Sequence, residues 1–145
     1  MSYKHILVAV DLTQESKALI DKSLNLAKPL KAEVSFIHVD PRFEELYHHS
    51  GILDADLDNN GEFAAERSRS ELKELAKETD YPIKNCLVGT GDYGCVIKNV
   101  ISKYEVDLFV CGHHRDFLSQ IFSSTKPILN QIGIDTLVIP IVKDA

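Results

Sequence analysis

The feature that most constrains the fold is a short apolar run near the N-terminus, residues 6–10, with the sequence ILVAV. Its odd and even positions are both apolar, so the β-strand that it predicts must be buried on both faces. A central strand of a parallel sheet that is covered by helices on both sides meets this requirement. The polar residue Asp11 follows directly and ends the run.

The rest of the chain alternates similar short runs with helical patterns, without an internal repeat or a low-complexity linker. Between successive runs, apolar or small residues recur at intervals of three and four, which is the spacing of an amphipathic helix. Such alternation predicts βαβ units, whose right-handed crossovers build a doubly wound parallel sheet. The five strands predicted in this way are residues 6–10, 33–39, 84–88, 107–111 and 136–142.

Four helices are predicted between these strands. Thr13 is a plausible N-cap of the first helix, which we expect to end at Pro29. The second ends near Thr79, and the fourth covers residues 117–132. The third carries its apolar stripe at Val96, Ile97, Val100 and Ile101. The sequence therefore predicts a single domain over residues 1–145, of the α/β class, arranged as a three-layer α/β/α sandwich.

Composition narrows the classes of function. The chain has 145 residues, 44% of them hydrophobic, which is enough for one domain with a substantial core. Its formal net charge of -6 leaves no basic face for the phosphates of a nucleic acid, so we expect no DNA or RNA partner. No apolar run is long enough to span a bilayer and no signal-peptide core is present, so we expect a cytoplasmic protein without membrane attachment.

The three cysteines are an odd number and lack C-x-x-C spacing, which argues against a disulfide framework or a zinc site. We expect Cys86, Cys95 and Cys111 to remain thiols. Cys95 lies near the start of the third predicted helix, where a thiol can have a lowered pKa. The alternative for Cys95 is a small buried residue on the helix stripe.

The segment GTGDYG, residues 89–94, matches the G-x-G-x-x-G template of dinucleotide-binding proteins. It follows the third predicted strand, whereas the fingerprint normally occupies the first βα turn of its domain. The acidic residue that should follow about 20 residues later is also missing. We therefore interpret the glycines as shaping a strand-to-helix turn, with Asp92 complementing the helix dipole, and we expect no bound cofactor.

The acidic segment from Asp54 to Gly61 resembles the start of an EF-hand calcium loop, because residues 56–61 have the sequence DLDNNG. The twelfth position of that loop should be a glutamate but is Arg67, and no helical pattern enters the loop. The segment is therefore predicted to be a mobile acidic loop, with Asn60 or nearby polar groups capping the next helix.

The segment GHHRD, residues 112–116, follows the fourth predicted strand. In an open α/β sheet, ligands bind beyond the carboxyl ends of the strands where the strand order reverses. If the first and fourth strands are neighbours, Asp11 and the pair His113 and His114 face one crevice. Consecutive turn residues rarely point at one ion, and His38 is the only other candidate ligand nearby, so we predict no metal site.

The whole chain resembles the universal stress proteins, and in particular their UspA-like branch. The resemblance rests on the opening YKHILVAVDLTQES, on FIHVD, on GTGDYG, and most distinctively on DLFVCGHHRDF followed by FSSTKPILN. It implies a five-stranded parallel sheet of order 3-2-1-4-5, in a nucleotide-binding-like fold of the HUP type. It also implies that the protein is a homodimer.

The resemblance also bears on nucleotide binding. One branch of the family has a motif of the form G-x-x-G, nine residues, then G-[ST], which wraps a triphosphate. Gly112 matches the first glycine, but the second falls on Arg115 and the last pair falls on residues 125–126, which are Thr and Lys. A gap in the alignment would place Ser123 and Ser124 there, which restores a hydroxyl but no glycine. Glycines let backbone N–H groups approach phosphate, so the departure predicts weak nucleotide binding or none.

Two functions of different classes follow. The first is a non-enzymatic stress-response protein, which acts through protein contacts or through an unidentified small ligand in the crevice. The second is a nucleotide-binding module or slow ATPase. In that second function, the resemblance implies that Asp11 and Val39 border the adenosine and that Gly112, Arg115 and Ser124 contact the phosphates. We favour the first function, because the intact phosphate motif is absent.

The last predicted strand is rich in β-branched residues, and the strand order of the family places it at an edge of the sheet. An apolar edge strand promotes aggregation unless another element covers it. We therefore predict that a second copy of the chain pairs with this edge across a two-fold axis. The predicted interface residues are Leu137, Val138, Ile139, Pro140, Ile141 and Val142.

Overall fold

The computed structural model of the chain describes residues 3–12, 16–40, 59–90, 93–113 and 132–140. These residues form five strands and three long helices in alternation. The elements in chain order are β1 (His5–Ala9), α1 (Ser16–Leu30), β2 (Glu33–Asp40), α2 (Asn59–Lys77), β3 (Ile83–Thr90), α3 (Tyr93–Tyr104), β4 (Leu108–His113) and β5 (Asp135–Pro140). The predicted fourth helix, residues 117–132, lies outside the described residues except for Ile132.

The five strands form one sheet of order β3-β2-β1-β4-β5, and every neighbouring pair is parallel. This confirms the predicted order 3-2-1-4-5. β1 lies at the centre, because Ile6 pairs with Val34 of β2 on one side and with Leu108 of β4 on the other. β3 and β5 are the two edges of the sheet.

Burial of β1 on both faces confirms the layered arrangement. Ile6 and Val8 point into a core cluster that β1 and β2 share with α1 and α2, while Leu7 points into a second cluster that contains Ile97 of α3. All three β1 residues are fully buried. The described helices therefore cover both faces of the sheet, as the three-layer α/β/α prediction requires.

Two helices end in a left-handed residue that is not glycine. In α1, Lys31 has φ 54°, and the Ala32 N–H donates to the Ala27 carbonyl over 3.1 Å. In α3, Glu105 has φ 55°, and the N–H of the next residue donates to the Ile101 carbonyl over 3.0 Å. Both turns are Schellman motifs, and a buried residue, Ala32 or Val106, follows the left-handed position in each.

Two of the predicted boundaries were wrong in position. Helix α1 does not end at Pro29 but runs to Leu30, because the left-handed Lys31 reverses the chain there. Helix α2 begins at Asn59, so the last three residues of the predicted acidic loop are helical. A helical backbone at these positions does not fit the bent calcium loop that the sequence partly matches. Thr13 and the rest of the acidic segment lie outside the described residues.

The first glycine of GTGDYG has a packing role. Gly89 lies in β3, at the edge of the sheet, where α3 begins close by. A Cβ atom at this position would lie 2.3 Å from Cγ1 of Val96 and 3.5 Å from Cγ2 of Val39. The side chain of Val96 therefore accounts for this glycine without any cofactor, in keeping with the predicted strand-to-helix turn.

We predict that Lys31→Gly stabilises the fold. Glycine adopts positive φ without the Cβ clash, which costs other residues about 1 kcal/mol, so the free energy of unfolding should rise by about 0.5–1 kcal/mol. Urea denaturation measures the change. The matched control is Lys22→Gly, an exposed position inside α1, which should lose about 1 kcal/mol. Equal losses from both variants would contradict the left-handed turn.

We also predict that Gly89→Ala destabilises the fold by about 1–3 kcal/mol, because the new methyl group overlaps Val96. The double variant Gly89→Ala/Val96→Ala removes the overlapping methyl group and should recover part of that loss. A double-mutant cycle by urea denaturation measures the coupling. Strictly additive losses would show that the two residues do not compete for the same space.

Candidate functional site

The predicted crevice lies where β1, β2 and β4 reach their carboxyl ends. Asp11 follows β1 by two residues, while Val39 and Gly112 are among the last residues of β2 and β4. The registers Ala9↔Ile37 and Val8↔Val110 bring these strand ends to the same edge of the sheet. The structure thus brings Asp11, Val39 and Gly112 to one side of the molecule, together with His113 of β4.

Asp11 is held by the first residue of α1. The Ser16 hydroxyl donates a short hydrogen bond to the Asp11 carboxylate, and the Asp11 N–H donates back to Ser16 Oγ over 3.3 Å. Ser16 is fully buried, whereas Asp11 is partly exposed. The carboxylate is therefore oriented by a buried hydroxyl group and remains accessible at the crevice.

The chain bends sharply directly after Asp11. Leu12 has φ 64°, a conformation that costs a residue with a Cβ about 1 kcal/mol or more. The reciprocal hydrogen bonds between Asp11 and Ser16 close this bend against the start of α1. Leu12 comes shortly after β1, the buried central strand, and the packing of that strand can hold the strained backbone in place.

His38 lies beside the same crevice, but its ring has a structural partner. Its Nδ1 lies 2.8 Å from the carbonyl oxygen of Val10, and the Val10 N–H donates to the Ile37 carbonyl over 2.8 Å. Because a carbonyl oxygen only accepts, Nδ1 is the donor. His38 therefore joins β2 to the end of β1, which leaves Nε2 as its other hydrogen-bonding atom.

No group of three metal-ligating side chains occurs in the described portion of the chain. Several predicted crevice residues cannot be compared with the structure. The backbone of His113 pairs with Pro140 in the sheet, but its side chain is outside the description. His114, Arg115, Ser123 and Ser124 lie outside the described residues altogether.

The three cysteines are free thiols in different environments. Cys111 is fully buried in β4, and burial raises the pKa of its thiol to about 12. Burial also raises the pKa of the half-buried Cys86 thiol, and the positive charge of Lys73 partly offsets that effect. Cys95 is exposed, so its interpretation as a buried stripe residue was wrong. The helix turns Cys95 outwards, because Gly94 and Ile97 occupy the buried face of α3.

Strand β5 is an edge strand, as the sequence predicted, and it pairs with β4. Ile139 is buried, Val138 is half-buried, and Leu137 has 39% of its surface exposed. Leu137 is the one large hydrophobic residue among the described residues that is exposed to this degree. Pro140 is exposed at the end of the strand. Ile141 and Val142 lie outside the described residues, and dimerisation through this edge stays a prediction.

The sequence analysis missed the partners of the site residues. Ser16 is five positions from Asp11 and reaches it only because α1 begins beside the end of β1. A serine at the start of a predicted helix could have signalled a local hydrogen bond, but Thr13 was the predicted cap. The contact between His38 and Val10 joins residues of two strands, and no sequence pattern signals it.

Comparisons with known proteins agree on one family. A sequence model described as the Universal stress protein family matches residues 2–140. Universal stress protein A of Yersinia pestis is 42% identical over 144 residues, covering 99% of this chain and 96% of its own. Universal stress protein A of Escherichia coli K12 is 43% identical over 141 residues, covering 97% and 96%.

Solved structures of universal stress proteins have the same fold. One solved structure, a universal stress protein in complex with cAMP, superposes with a TM-score of 0.59 at 12% identity and covers 98% of this chain and 100% of its own. None of the helices in the described ranges combines the length and the apolar character needed to cross a membrane. The match over nearly the whole sequence, together with the sheet order β3-β2-β1-β4-β5, shows that this chain belongs to the universal stress protein family.

Proposed function

We propose that this protein is a UspA-type stress-response protein of the cytoplasm, which acts without catalysis through protein contacts or through a small ligand in the crevice. The observation that carries the proposal is the 42–43% identity to proteins named Universal stress protein A over nearly the whole of both chains. Identity at this level over nearly the whole of both chains supports a shared fold and a similarly packed core, although more than half of the positions differ.

The crevice supports binding rather than catalysis. Its described acidic group, Asp11, is held by the hydroxyl of Ser16, and its neighbour His38 uses Nδ1 to bind the Val10 carbonyl. Cys111 of β4 is buried with a raised pKa, so its thiol stays protonated at neutral pH. These groups favour an orienting role, in which Asp11 accepts hydrogen bonds from a polar ligand.

A second candidate function is nucleotide binding at the same crevice. A family member with the same fold has been crystallised with cAMP, although it is only 12% identical to this chain. Asp11 and Val39 would border the nucleoside, and Gly112, Arg115 and Ser124 would contact the phosphates. The sequence weakens this candidate, because Arg115 occupies the position of the second motif glycine and would crowd the phosphate cradle.

We expect ATP with Mg²⁺ to bind weakly or not at all to the wild-type protein. Isothermal titration calorimetry measures the affinity, and native mass spectrometry of the freshly purified protein shows whether it carries a ligand. The variant Arg115→Gly restores one motif glycine and should bind more tightly than wild type. Micromolar affinity of the wild-type protein for ATP, lost in Asp11→Ala, would overturn the non-nucleotide proposal in favour of the second candidate.

The protein partner that we propose first is a second copy of the chain, paired through β5. Burial of the exposed Leu137 in such an interface would remove apolar surface from water, and pairing would satisfy the outer backbone groups of the edge. The wild-type protein should therefore sediment at about twice its monomer mass of 16.2 kDa.

Val138→Lys and Leu137→Lys should shift the protein towards monomer or aggregate in sedimentation equilibrium. A matched control is Ile83→Lys, another half-buried aliphatic residue on the opposite edge strand. That variant should lose stability without a change in the dimer mass. A wild-type monomer at micromolar concentration, or a dimer that tolerates both β5 charges, would place the interface elsewhere or remove it.

A further inference from the structure

A groove of about 370 Å³ lies beside the edge strand β3 and reaches Gly89, the sheet partner of the crevice residue Val39. It is lined by four consecutive strand residues, from Cys86 to Gly89, and by side chains of two helices. β3 pairs with β2 on one side only, and no other described strand covers its outer edge. None of the crevice residues Asp11, Val39 and Gly112 contributes to this groove.

Most of the lining lies on the face of the sheet that α3 covers, and Arg69 of α2 extends it to the edge strand β3. Successive side chains of a strand point to opposite faces. Cys86 and Val88 accordingly pack into the cluster with α1 and α2, and Leu87 packs into the cluster with α3. The groove therefore reaches the outer edge of β3, where no described strand pairs with the backbone N–H and C=O groups.

Both walls of the groove carry a cation. Arg69 contributes from α2, and Lys103 contributes from α3 on the opposite face of the sheet. Both side chains are exposed, and neither forms an ion pair with a residue that the structure describes. Lys103 lies 5.6 Å from the centre of the Tyr104 ring, which keeps its ammonium group close to the groove wall.

The rest of the lining is largely apolar. Ile37, Val96, Val100 and Tyr104 form the surface between the strand edge and α3, with Asn99 as an exposed polar group. A bound segment would therefore meet backbone donors and acceptors in the centre, apolar surface on one side, and one positive charge on each side. An extended peptide with two carboxylates matches this arrangement.

We propose that the β3 groove binds an extended acidic peptide, which adds to the sheet as a sixth strand. Its backbone pairs with residues 86–89, and one carboxylate faces Arg69 while another faces Lys103. Because neighbouring side chains of a strand point to opposite faces, the two acidic residues must be separated by an odd number of positions. The proposal goes beyond the function proposed above, since it concerns a different surface and needs no ligand in the crevice.

A second copy of this chain fits the groove poorly. Pairing of two β3 edges would bring the Arg69 and Lys103 side chains of both copies towards each other, and like charges in a contact oppose association. The cations can also serve simply to keep edges of separate molecules apart. Measurements of peptide binding distinguish recognition from protection, because with purely protective charges the affinity would not depend on the spacing of the acidic residues.

The test uses two synthetic peptides of equal composition, acetyl-TVTEDTVT-amide and acetyl-TVTETDVT-amide, in isothermal titration calorimetry with the full-length protein. In the first peptide the acidic residues point to opposite faces, and in the second they point to the same face. We expect the first peptide to bind about fivefold more tightly, because it keeps both ion pairs. Its binding should weaken when salt is raised, and N-methylation of both acidic residues should abolish it.

The protein variants are Arg69→Glu and Lys103→Glu, each of which should lower the affinity for the first peptide by about tenfold. The matched controls are Arg67→Glu on α2 and Lys98→Glu on α3, which are exposed residues outside the groove. The controls carry the same change of charge and should leave the affinity within about twofold of wild type. Circular dichroism confirms that each variant is folded.

Hydrogen exchange gives an independent readout on the wild-type protein. Amides of residues 86–89 should exchange more slowly when the first peptide is bound, because a sixth strand protects the edge. The proposal is wrong if the first peptide shows no saturable binding up to about 1 mM, or if both peptides bind equally. It is also wrong if Arg69→Glu alters the oligomeric mass instead of the peptide affinity, since the groove would then join copies of this chain.

Discussion

Complete burial of β1 is the constraint on which the rest of the structure depends. Ile6, Leu7 and Val8 are fully buried, and consecutive residues of a strand point to opposite faces, so both faces need a helical layer. Each such side chain stabilises the fold by about 1.5–3 kcal/mol when it leaves water. The strand is also paired on both sides, which leaves its carboxyl end, at Asp11, as the place where the centre of the sheet becomes accessible.

The amino end of the sheet is closed by hydrogen bonds. The Asp107 carboxylate accepts the N–H groups of Lys4 and His5 over 2.8 and 3.0 Å, which ties β1 to the start of β4. The buried His5 ring donates from Nδ1 to the Tyr104 carbonyl over 2.8 Å, and its Nε2 lies 2.7 Å from the hydroxyl oxygen of Ser35. These contacts join β1, β2 and the end of α3 at the amino end of the sheet.

The two sheet edges differ in their chemistry, which is why we propose different partners for them. β5 presents the apolar Leu137, which suits burial against an identical edge in a dimer. β3 is flanked by Arg69 and Lys103, which oppose self-pairing and favour an acidic segment. Neither cation forms an ion pair with another residue that the structure describes. We therefore propose three binding surfaces for this chain, namely the crevice and the two edges.

Periodicity in the sequence was sufficient to predict the strands and the layers, because burial produces an apolar residue at every second position of a strand and at every third or fourth position of a helix. The strand order itself came from the family resemblance. Contacts between different segments of the chain produce no such periodic pattern. The helix continued beyond Pro29 because of the turn at Lys31, Gly89 was required by Val96, and Asp11 was oriented by Ser16. Such contacts depend on how the folded strands and helices pack against one another. The sequence therefore determined which segments are buried, and only the tertiary structure decided which side chains lie next to one another.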